Sequence, residues 1–146
     1  MVSEFLIALL VLVLGVYWFR YNCQAILKIN ISADRARQVA AANQLGFPEV
    51  SARLQNEIST AELQELNEVL LRDYTILTAL LRCTSPAPYS VKQCILMLDF
   101  HYMQTKYSLM RHQLRRPACR SLAECVRILS HFANTMSERS AAVMRA

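Results

Sequence analysis

The chain has 146 residues, 54% of them hydrophobic, and a formal net charge of +5. Glycine is held to 2 residues and proline to 4, which excludes glycine-rich phosphate loops and points to an all-helical fold. Five cysteines form no paired spacing typical of a small disulfide scaffold, which suits a reducing compartment.

The first element is the uncharged run Phe5–Phe19, bounded by Glu4 and Arg20. A hydrocarbon core about 30 Å thick takes roughly 20 helical residues, so residues 1–21 are expected to form a transmembrane anchor. Tyr17, Trp18 and Tyr21 crowd one end, where amphipathic rings favour the membrane interface. A cleaved signal peptide is disfavoured because no Lys or Arg precedes the run and no small-residue cleavage site follows it. Arg20, Lys28, Arg35 and Arg37 follow the run, so the N-terminus is expected outside and the bulk of the chain in the cytoplasm, a bacterial inner membrane being the expected setting. Within the span, Ala8 and Gly15 share a face that a neighbouring helix can approach closely. With Trp18 they form a candidate partner interface.

Residues 22–57 read as a juxtamembrane helical segment. Ser32 or Asp34 is a candidate cap for a helix over 35–45, and a break near Asn30 is an open alternative to one continuous helix. Asn30-Ile31-Ser32 matches a glycosylation sequon that would be silent in the cytosol. Gly46-Phe47-Pro48 reads as a helix stop, with Gly46 as the C-terminal glycine and a short helix over 48–57.

Residues 58–146 are expected to form an antiparallel three-helix bundle. Ser59 and Glu62 make a capping box. The helix they open runs to about Arg82, with Leu63, Leu66, Leu70, Tyr74, Leu77 and Leu81 as its buried stripe. Glu68 and Arg72 are placed as an exposed pair. The prolines of Cys83–Tyr89 forbid helix, and Ser90 caps a second helix to about Arg116. Pro117 or Ser121 starts the last helix, to about Met144, burying Leu122, Cys125, Val126, Leu129, Ala133 and Met136.

The helix at 91–116 carries two apolar stripes where a small bundle needs one. One is Val91, Cys94, Ile95, Leu98, Tyr102 and Leu109; the other holds Leu96, Met97, Phe100, Met103, Tyr107, Met110 and Leu114. Either this helix sits centrally, or one stripe meets a partner. Leu96, Phe100, Met103 and Tyr107 are the candidate contact surface, to a partner subunit or to residues 22–57.

Asp99 is expected on a narrow polar edge with Lys92 and Lys106. His101 and His112 are three turns apart, too far to share a metal. With no His-x-x-x-His and no Cys-x-x-Cys, neither metal nor cofactor is expected. Residues 90–146 hold 9 basic and 3 acidic side chains. Arg111, Arg115, Arg116 and Arg120 form a basic turn, a candidate contact for anionic lipid or an acidic partner, without a nucleic-acid reading motif.

No catalytic constellation or small-molecule site is discernible. The expected role is a non-catalytic accessory or assembly subunit of a larger membrane complex, of respiratory, photosynthetic or secretion type, with other membrane subunits and the bilayer as partners. The alternative is a free-standing membrane-anchored adaptor or sensor that recruits soluble partners.

Overall fold

The computed structural model describes residues 1–28, 33–84 and 89–145, and within them the protein is all-helical. Six helices follow one another: α1 (Val2–Lys28), α2 (Ala33–Ala42), α3 (Phe47–Arg53), α4 (Thr60–Cys83), α5 (Val91–Met110) and α6 (Arg115–Arg145). Contacts divide the chain into two compact units, Met1–Asn30 and Ile31–Ala146. The second unit holds α2 and α3 together with the long helices. The expected break near Asn30, the sequon and the Ser32 cap lie outside the described residues, as do Pro86 and Pro88.

In the first unit, α1 is long and apolar enough to cross a membrane. It shares that property with signal sequences and with core helices of soluble proteins. Every side chain from Met1 to Trp18 is exposed.

The second unit is organised around α6. Helices α2, α3, α4 and α5 each pack on it, and α3 also packs on α2 and α4. The centre therefore falls on α6 and not on α5. Small residues explain this: Ala118, Ser121 and Ala133 are buried on α6 beside Leu122, Cys125, Ile128, Leu129 and Phe132, and short side chains let neighbouring helices approach from several sides. Met136, expected in the core, is only half-buried.

Helix α4 forms as its sequence dictates. The Ser59 hydroxyl accepts from the Glu62 amide and the Glu62 carboxylate accepts from the Ser59 amide. Leu63, Leu66, Leu70, Leu77 and Leu81 are all buried, each contributing about 1.5–3 kcal/mol relative to an exposed position. Tyr74 is half-buried and stacks on Phe100 of α5, centroids 4.1 Å apart and planes within 7°. Arg72 turns to Asp73 at 3.3 Å, not to Glu68.

Helix α5 opens on a second box, Ser90 with Gln93. It ends at Met110, before the expected Arg116, because the chain turns through Gln113 and Leu114, whose amides both reach the Met110 carbonyl. Helix α6 then begins two residues ahead of Pro117. Proline is tolerated there because a first-turn residue has no intrahelical partner for its amide.

The junction between α2 and α3 differs from a simple glycine stop. The left-handed residue that ends α2 is Gln44 (φ 55°), and Leu45 N–H closes on Ala40 C=O at 2.8 Å, a Schellman-type ending. Gly46 is right-handed (φ −99°) and caps the start of α3. Glycine is required there by space: a Cβ would lie 2.7 Å from Val69 Cγ1. The α3 terminus is satisfied from another helix. Asp73 of α4, fully buried, accepts hydrogen bonds from the Gly46 and Phe47 amides, both at 2.7 Å.

Candidate functional site

The exposed surface of the second unit offers two candidates, an apolar face on α5 and a basic cleft at the start of α6. On α5, Leu96, Phe100, Met103 and Tyr107, the stripe singled out as a candidate contact surface, lie inside the protein's own core. The reason is the ring stack of Tyr74 on Phe100, which turns that stripe towards α4, together with the extensive packing of α5 on α6. The opposite stripe is left open: Val91, Leu98 and Leu109 are 76%, 62% and 72% exposed, and Tyr102 is exposed beside them. Their spacing puts them on one helix face.

The same rotation moves Asp99. It lies three residues after Leu96 and four before Met103, so it turns inward with them and is fully buried. The expected position on a polar edge with Lys92 and Lys106 does not hold.

Of the four arginines at the basic turn, the structure brings three together. Arg115, Arg116 and Arg120 line an open cleft of about 570 Å³ with Cys119, Asn56, Glu57 and Ile58. Arg111 lies outside it and donates through Nε to His112 Nε2 at 3.0 Å. Helix α6 has no acidic residue in its first turn. The 56–58 wall was not foreseen, because no spacing rule links that segment to a turn some 60 residues later.

The histidines are dispersed. His101 meets the Tyr74 hydroxyl at 3.3 Å. His131 is half-buried, and burial holds its imidazole below the ordinary value; Glu138 pulls the other way. Burial pushes the Tyr107 hydroxyl up, with Arg111 opposing. Among the described residues no group of three His, Cys, Asp or Glu side chains is placed to hold a metal ion. None of the five cysteines forms a disulfide; Cys83 and Cys94 are exposed and Cys125 is buried.

On α1, Ala8, Gly15 and Trp18 are all exposed, and a Cβ at Gly15 would meet nothing within 4 Å. The residue that sequence reasoning passed over is Asp73. Its signal was a carboxylate three residues from Leu70 and four from Leu77, within the apolar stripe of α4, where a charge needs a hydrogen-bonded partner. Set against known proteins, the chain matches no family model, no curated protein and no solved structure.

Proposed function

We propose that this chain is a non-catalytic, single-pass accessory subunit of a larger membrane protein complex. In this reading α1 spans the bilayer with its N-terminus outside. Residues 31–146 stand on the cytosolic side, with α4, α5 and α6 running up, down and up as short connections favour. The observation that carries the reading is α1 itself: 27 residues, uncharged from Phe5 through Phe19, with every side chain to Trp18 exposed. Such a helix is stable only with hydrocarbon or other apolar helices around it. The α5 face supports the second half of the role. An exposed stripe of Val91, Leu98, Tyr102 and Leu109 suits docking by a neighbouring subunit. Ala8 and Gly15 suit close lateral packing in the bilayer. The basic residues Arg20, Lys28, Arg35 and Arg37 favour the cytosolic placement.

Extraction of native membranes in mild detergent, followed by native sizing and mass spectrometry, tests the proposal. The chain is expected in an assembly well above its own 16.7 kDa, with constant partners and with Phe5–Tyr21 retained. In intact cells Cys119 is expected to resist an impermeant maleimide until the membrane is permeabilised. A soluble chain beginning after Arg20 would refute the anchor. A detergent-extracted chain without partners would refute the subunit role.

A further inference from the structure

The cleft at the start of α6 has an unbalanced charge that the fold itself does not use. Arg115 and Cys119 are one helical turn apart, as are Arg116 and Arg120, so two adjacent rows of side chains form one wall. The other lining segment is Asn56, Glu57 and Ile58, of which Ile58 is buried. None of the three guanidiniums makes a hydrogen bond or ion pair with another described residue. Three cations face one carboxylate, Glu57, and Arg116 and Arg120 stand at a spacing where like charges repel.

We propose that this cleft binds a phosphate monoester. Three guanidiniums against one carboxylate leave a net charge of about +2, matching a monoester of about −1.5 to −2 at neutral pH. Guanidinium forks fit phosphate oxygens in bidentate fashion. The Asn56 amide adds a neutral donor, and Ile58 and Cys119 add apolar lining that reduces competing hydration. The same chemistry is offered by a phosphatidic acid headgroup or by a soluble phosphate ester. The site is separate from the α5 face and does not depend on it.

Cys119 lies in the cleft, so occupancy can be read from its alkylation. Full-length protein in neutral detergent is treated with N-ethylmaleimide, with and without glycerol 1-phosphate, and each cysteine is followed by mass spectrometry. A parallel arm uses nanodiscs of phosphatidylcholine alone or with phosphatidic acid. At about ten times Kd, the Cys119 rate is expected to fall by about tenfold, following 1 + [L]/Kd, while exposed Cys83 and Cys94 are unchanged. Protection by glycerol 1-phosphate assigns a soluble ester; protection only in phosphatidic acid discs assigns a lipid headgroup. The soluble arm judges the cleft even if α1 fails to enter discs, a failure that would count against the membrane reading alone. Arg116→Gln with Arg120→Gln, both exposed positions, should abolish protection while Cys83 and Cys94 keep their rates. The proposal is overturned if neither probe protects Cys119, if chloride at matched ionic strength protects it equally, or if the double variant is still protected.

Discussion

Replacing Phe100 by alanine separates the two stripes of α5. The Phe100 side chain is fully buried, stacks on Tyr74 and lies on the stripe that also buries Leu96, Met103 and Tyr107. Phe132 adds a tilted contact to the same Tyr74 ring, at 6.5 Å. Removing a buried phenyl group costs about 3–5 kcal/mol through lost transfer energy and the cavity left behind. The aromatic pair is worth about 0.5–1.5 kcal/mol beyond its area and overlaps that range, so about 4 kcal/mol is expected in all. Small domains are stable by only about 5–15 kcal/mol. At about 4 °C per kcal/mol for a unit of this size, the melting temperature should drop by about 16 °C. Circular dichroism of the full chain in mild detergent measures it, with Leu98→Ala as the control. Leu98 is exposed on the opposite stripe, so its truncation should change stability by no more than about 0.5 kcal/mol. If Phe100→Ala costs less than about 1 kcal/mol, or Leu98→Ala costs as much as Phe100→Ala, the assignment of core and open face is wrong.

Three further outcomes are expected. Gly46→Ala should destabilise by about 1–3 kcal/mol, because its Cβ would press on Val69, and adding Val69→Ala should recover part of the loss in urea titrations. Asp73→Ala should cost about 3 kcal/mol by stranding the part-buried Gly46 amide and the buried Phe47 amide, whereas Asp73→Asn, which keeps an acceptor oxygen, should cost less; a denaturant midpoint unchanged by Asp73→Ala would refute the cap. His131 has its folded value lowered by burial, so the unfolded chain binds the proton more readily. Its contribution is fully present above about pH 6.5 and is lost as pH falls from there through the lowered folded value. Denaturant midpoints should therefore decline on acidification across that window, and His131→Gln should flatten the decline.

What could be read from the residues alone depended on whether the information was local. Helix α4 was legible because its cap, its leucine spacing and its length all lie within one segment. The turn at Met110–Leu114 was not, since nothing in Arg111-His112-Gln113 breaks a helix by itself, and only Pro117 carried a signal. The two stripes of α5 are nearly equal in apolar content, and which one turns inward is decided by a ring on another helix, Tyr74. The central place of α6 was hidden for a related reason. Its buried Ala118, Ser121 and Asn134 carry little or no signal in a hydrophobicity pattern. The arginines were visible as a cluster, but their cleft was not, because its other wall comes from a distant stretch.

The position of the hub in the chain bears on how the protein comes into being. Four helices lean on α6, and α6 is the last of the six to be synthesised. At roughly 5–20 residues per second, the interval between completing α1 and completing α6 is about 6–23 s. During that interval α2, α3, α4 and α5 emerge with the apolar sides that α6 will cover still exposed. Each nascent molecule thus passes through a period in which the helices of the second unit are made but unassembled, and that period is when a chaperone has most to shield.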